Sequence, residues 1–97
     1  MELELVSRRE NSLLKRDELV FRVRFRGGTP SRRELREMIA RHLGKSPANI
    51  FIRRISTEYG KEEALVFVMA YHSRAMALMM EPKHIIRKNE GAEGVAS

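Results

Sequence analysis

LVFRVRFR, residues Leu19 to Arg26, alternates apolar and basic side chains and sets the reading of the whole chain. Successive side chains on a β-strand point to opposite faces. Leu19, Phe21, Val23 and Phe25 therefore share one face, and Arg22, Arg24 and Arg26 line the other. Gly27-Gly28-Thr29-Pro30 ends the strand.

Upstream, Leu3 and Leu5 alternate with Glu2 and Glu4, which predicts a first strand ending near Ser7. The polar segment Glu10 to Glu18 reads as a loop or single helical turn anchored by Leu13 and Leu14.

Downstream, Ser31 and Glu34 match a capping box, with Thr29 as cap before Pro30 the competing start. Leu35, Met38, Ile39 and Leu43 recur at helical spacing, and Gly44 is a natural stop. Ile50 to Ile55 predicts a third strand, Glu58 to Glu63 a hairpin tip, and Ala64 to Tyr71 a central strand apolar on both faces. Ser73 can cap a short second helix through Met80, ended by Pro82, with Met76, Met79 and Met80 as adaptable core filler.

The fold class that follows is an α/β (α+β) sandwich. It has a four-stranded, mostly antiparallel sheet with two packed helices, in the order β-β-α-β-β-α. Residues 1–88 make one domain, and 89–97 are expected to be a flexible C-terminal tail.

The charge pattern speaks to function. Fourteen arginines against five lysines in 97 residues are spread through every expected strand and helix, and the net charge is +6. The arginine fork is always charged, grips phosphate oxygens bidentately and stacks on bases. A basic field of this kind favours a polyanion, and RNA is the first candidate. A merely basic soluble surface is the plain alternative.

At this size roughly 60–65% of the unfolded surface can be buried, so the core is modest. No cysteine is present, and His42, His72 and His84 have no ligand spacing, so no metal site or cofactor is expected. The charged start Met1-Glu-Leu-Glu-Leu is unlike a signal peptide, and no apolar run could span a membrane; an intracellular, cytoplasmic protein is expected.

Arg22, Arg24 and Arg26 span roughly 13 Å along one strand face, enough for consecutive phosphates. Glu2 and Glu4 could instead face them across an antiparallel pair, but cannot also occupy Arg8 and Arg9. Arg32, Arg33 and Arg36 open the helix, where the dipole disfavours cations and favours a bound anion; Glu34 and Glu37 could neutralise them locally. Arg53 and Arg54 are adjacent on a strand, so one is expected on each face, with Arg53 a candidate contact. Lys83, Arg87 and Lys88 flank Ile85 and Ile86 and could clamp RNA or solvate a docked turn.

Phe21, Phe25, Phe67 and Tyr71 fit apolar strand faces as core, which leaves Tyr59 as the one plausible base stacker. This argues for recognition of backbone and shape in folded RNA rather than reading of single-stranded bases. No glycine-rich phosphate loop, cysteine nucleophile or serine elbow suggests an enzyme.

ENSLLKR (Glu10 to Arg16), TPSRRELRE (Thr29 to Glu37), TEYG (Thr57 to Gly60), YHS (Tyr71 to Ser73) and EPKHIIRKN (Glu81 to Asn89) occur in order and at matching spacing. Together they resemble the archaeal and eukaryotic family of ribosomal small-subunit protein twenty-four, over residues 2 to 89. The resemblance implies a structural ribosomal protein with an α/β sandwich fold, small-subunit rRNA and neighbouring ribosomal proteins as partners, no small-molecule substrate, no membrane and a monomeric isolated state. It places Lys15 and Arg16, Arg32 and Arg33, and Arg87 and Lys88 at RNA. The family's usual basic residue and glycine after the Tyr-Gly turn are here Glu63 and Val66, its Asp-Ser after the tyrosine is His72-Ser73, and its first-loop proline is Ser12. RNA contact is therefore not carried over to the Glu58–Ala64 hairpin. Two rivals share the same charge: a free-standing RNA-binding processing or translation factor, and an adaptor for acidic protein partners.

Overall fold

The alternation at residues 19–26 is realised in three dimensions: Leu19, Phe21, Val23 and Phe25 are buried, while Arg24 and Arg26 are exposed. In the computed structural model, which describes residues 1–57 and 60–91, the chain forms strands β1 (Glu2–Asn11) and β2 (Arg16–Arg24), helix α1 (Arg32–Leu43) and a short 3-10 turn (Pro47–Asn49). Strands β3 (Ile50–Thr57) and β4 (Glu63–Tyr71) follow, then helices α2 (Arg74–Met80) and α3 (Lys83–Glu90). The strands lie in the order β1-β2-β4-β3 with every pairing antiparallel. β2 and β3 consequently run the same way with β4 between them, and α1 makes the crossover.

α1 begins where Ser31 Oγ accepts the Glu34 N–H, and ends at Gly44, whose φ of 67° places it in the left-handed region. Leu35, Ile39 and Ala40 on its inner face pack against Leu19, Phe21 and Val23 of β2, Val66, Val68 and Ala70 of β4, and Ile50 and Ile52 of β3. Burying each large aliphatic or aromatic side chain here contributes about 1.5–3 kcal/mol. On the other side of the sheet a smaller cluster, Phe51, Tyr71, Ala77, Ile85 and Ile86, lies under α2 and α3.

Several expectations change. β1 continues to Asn11, past Ser7, because residues 8–11 gain their strand form from pairing with β2 rather than from any apolar alternation. The register shifts between Leu5 and Ser7, so that Leu5 pairs with Phe21 and Ser7 with Val20. Ser12–Lys15 make the turn, where Asn11 Oδ1 accepts the Leu14 N–H and Lys15 adopts a φ of 51°. Leu13 is 86% exposed and anchors nothing.

β4 is covered on both faces only at its Tyr71 end, since Val20, Leu65 and Phe67 belong to neither cluster. Met76 packs on the second cluster, whereas Met79 and Met80 are exposed.

Pro82 does end α2, and it also starts a third helix where a docked turn was expected. It has no N–H to extend α2, and its carbonyl accepts from Ile85 and Ile86 to open α3. α3 includes Asn89 and Glu90, the expected start of the tail, because Asn89 is buried against β3. Its Oδ1 accepts the Ile52 N–H at 2.9 Å, and its Nδ2 donates to the Ile52 and Ile85 carbonyls, both at 2.9 Å. One side-chain amide thus satisfies the backbone of edge strand β3 where a further strand would otherwise pair. The remainder of the expected tail, residues 92–97, lies outside the described residues, as does Tyr59.

Candidate nucleic-acid interface

The basic residues fall into three groups by what their donors touch. Arg16, Arg36 and Arg53, all expected at RNA, are engaged within the protein. Arg16 donates to Tyr71 Oη at 2.8 Å and twice to Glu18 Oε2 at 3.0 and 2.8 Å. Burial opposes its charge, but Tyr71 and Glu18 outweigh burial and hold its pKa above the ordinary arginine value. In return Arg16, with help from Asn11, lowers the Glu18 carboxyl.

Arg36 donates to the Ile50 carbonyl at 2.7 Å, lies over the Phe51 ring and pairs with Glu90. Arg53 grips the buried Glu81 with Nε and Nη2, the latter at 2.6 Å, and Glu81 raises its pKa.

The expected division of Arg53 and Arg54 between opposite faces does not hold. A bulge between Ile52 and Arg54 removes Arg53 from the pairing, so Arg54 pairs with Phe67 and Ile55 regains the α1 side. Arg53 reaches Glu81 near Arg16 and Tyr71, and Arg54 lies over Phe67. Arg16, Phe67 and Tyr71 share the face turned away from α1.

The second group makes surface ion pairs. Arg22 meets Glu4 at 3.3 Å and Glu63 at 2.9 Å, and Arg24 meets Glu2 at 3.7 Å, whereas exposed Arg8 reaches the buried Asp17 at 3.1 Å. Arg33 meets Glu37 one helical turn on, at 3.9 Å. Glutamates of β1 thus do oppose the arginine row of β2. The pairs with exposed carboxylates are worth at most about 1 kcal/mol each and open readily for a stronger anion.

The third group, Arg9, Lys15, Arg26, Lys83, Arg87 and Lys88, is exposed and has no hydrogen bond or ion pair among the described residues. Arg32, in the first turn of α1, is half-buried with its Nε unpartnered. Lys15 is held in place by its backbone, whose carbonyl accepts the His72 N–H at 2.9 Å.

α3 concentrates this charge. Ile85, Ile86 and Asn89 are buried, while Lys83, His84, Arg87 and Lys88 are exposed at i, i+1, i+4 and i+5, the outer face of the helix. The two acids bracketing it are turned inward. Glu81 is held by Arg53, and Glu90 by Arg74 and Arg36, so neither neutralises the outer face. The Arg74 hydrogen bonds do most to bring the Glu90 carboxyl down to about 2, burial opposes, and Arg36 adds to the lowering. The inner arginines thereby sequester negative charge and leave the outer cations unmasked.

Reasoning from sequence passed over exposed Arg41 and Arg54, half-buried Lys45, and the inward role of Arg74. Arg41 is visible as a cation off the apolar stripe of α1. Nothing in the sequence separates Arg54 from Arg53 without the bulge.

A cleft of about 720 Å3 lies where β2 meets α1. Its lining sets Glu2, Glu34 and Glu62 against Arg24 and Arg26, a poor charge balance for phosphate. Among the described residues no group of three or more acidic or histidine side chains could hold a metal, and no helix is long and apolar enough to cross a membrane.

A family model for ribosomal protein S24e matches residues 1–90, which is every element of the fold. The chain belongs to that family. S24e relatives named small ribosomal subunit protein eS24 include one from Pyrobaculum aerophilum, 41% identical over 93% of this chain and 75% of its own length. Another, from Archaeoglobus fulgidus, is 37% identical over 96% of this chain and 84% of its own. A third, from Methanothrix thermoacetophila, is 33% identical over 92% and 91%. The S24e match ends at Glu90, the residue that ties α3 to the rest of the molecule.

Proposed function

We propose that this protein is a structural constituent of the small ribosomal subunit that binds folded rRNA through arginine– and lysine–phosphate contacts. The observation that carries the reading is the outer face of α3, four exposed cationic or titratable side chains with no acid among them. Membership of the S24e family and the names of its relatives supply the ribosomal context.

In this reading Lys83, Arg87 and Lys88 meet phosphates directly, joined by Lys15 and Arg9 at the β1–β2 end. The surface-paired Arg22, Arg24 and Arg33 contribute when RNA displaces their carboxylates, and Arg8 contributes beside buried Asp17 without releasing it. Arg16, Arg36 and Arg53 position the frame. The protein joins rRNA and neighbouring ribosomal proteins in the cytoplasm, is a monomer when isolated, and catalyses no reaction.

The test is ultraviolet cross-linking in purified small subunits, with peptides mapped. Cross-links in Lys83–Lys88, together with co-sedimentation that survives a moderate-salt wash, are the expected result. A chain that washes off while still binding RNA would instead be a free-standing factor. A saturable acidic protein partner without any RNA cross-link would make it an adaptor.

A further inference from the structure

We infer that the open half of the sheet, centred on Arg54 and Phe67, is a stacking site for an unpaired RNA base. The proposal rests on the rRNA-binding reading above and adds to it a second surface with different chemistry.

Phe67 lies on the central strand β4, on the face turned away from α1, and is only half-buried because α2 covers the Tyr71 end alone. Val20 on β2 and Leu65 on β4 continue a half-buried apolar strip around it, and neither belongs to a buried cluster. Arg54, opposite Phe67 in the β3–β4 register, places its guanidinium over the ring, 5.4 Å from the centroid. It is exposed and has no hydrogen bond or ion pair among the described residues. Stacking on the ring fixes the guanidinium while leaving its N–H donors unengaged.

The acids of this face are already committed. Glu4 and Glu63 pair with Arg22, Glu2 with Arg24, and Glu18 with Arg16. The charge left over is positive, at Arg54 and Arg9. A planar cation backed by an aromatic ring, beside an apolar strip, suits a nucleobase that stacks while its phosphate meets a guanidinium. A duplex cannot offer an unstacked base, so this surface should discriminate where the α3 face does not.

The experiment uses the full chain, with a decanucleotide of single-stranded RNA carrying one 2-aminopurine and a fully paired RNA duplex of similar length as probes. Arg54→Ala should weaken single-strand binding by about tenfold and abolish the stacking quench, yet leave duplex affinity within about twofold. Arg54→Lys, which keeps the charge but not the flat fork, should recover only part of the loss. Arg87→Ala should weaken both probes alike.

If Arg54→Ala changes neither probe, or both equally, the stacking site is wrong while the α3 reading stands. If Arg87→Ala is also silent, the rRNA-binding reading itself fails. Protection of Arg54 by a neighbouring protein, with no RNA cross-link to β3 in the subunit, would assign the face to a protein and overturn the inference.

Discussion

Arg74 grips Glu90 with both terminal nitrogens, each 2.8 Å from a different carboxylate oxygen, so the first residue of α2 is tied to the last residue of α3. The same guanidinium donates to the Ala48 carbonyl, and Arg36 of α1 closes on the same carboxylate. One acid therefore joins three helices and the 3-10 turn. A carboxylate at a helix C-terminus is ordinarily unfavourable, and two guanidiniums more than offset that here.

Removing that acid should be costly. Glu90→Gln leaves Arg36 and Arg74 without their counter-charge in a partly buried place, and should lower unfolding free energy by about 3 kcal/mol. Urea midpoints at neutral pH measure it. An unchanged midpoint would show that the cluster does not hold the helices together.

The same acid sets a pH dependence. Its carboxyl titrates at about 2 in the folded chain against an ordinary 4.5, so its stabilisation is fully present above that ordinary value. It is lost progressively as pH falls from about 5 towards 2, by at most about 3 kcal/mol. Thermal melts across that range should show the decline in the native sequence and a shallower one in Glu90→Gln.

Positions on the two sides of α1 and α3 should separate structure from binding. Arg36→Ala loses a carbonyl hydrogen bond, a ring contact and an ion pair, and should reduce stability by about 3 kcal/mol. Arg87→Ala, on an exposed site, should change stability by no more than about 0.5 kcal/mol while weakening RNA binding. Paired melting and binding curves make the comparison, and matching losses of stability in the two variants would contradict the sorting.

Salt should act through the outer face of α3. Log affinity for rRNA should fall linearly with log salt, by about 0.9 for each phosphate neutralised in duplex. Replacing Lys83, Arg87 and Lys88 together by alanine should make that slope shallower by nearly three such increments. A filter-binding titration with the same slope for both proteins would remove α3 from the interface.

Asn89→Ala should open the edge of β3. The Ile52 N–H and carbonyl lose their partners, at a cost of about 1–3 kcal/mol. Hydrogen exchange at the Ile52 amide should accelerate more than at amides of β2, and the exposed strand edge should promote association at high concentration.

The periodic elements are legible in the chain itself. The alternation of LVFRVRFR, the Ser31 cap with its apolar stripe, and Gly44 each depend on neighbours within a few residues, which a sequence displays. The second half of β1 is not legible, because Arg8, Arg9, Glu10 and Asn11 owe their strand form to β2 alone. Nor is α3 as a helix, since Ile85, Ile86 and Asn89 acquire a partner only when β3 and α1 lie beneath them.

The chain's sequence by itself determined the presence of four strands though not the full length of β1, the first two helices, the excess of guanidinium groups and, through five short segments, a family resemblance. Only the tertiary structure decided which cations are available. Glu81 is 28 residues from Arg53, and Glu90 is 54 from Arg36, yet each pair meets. Charge neutralisation depends on distance in space, and spacing along the chain carries almost no information about it once the sheet and helices have closed.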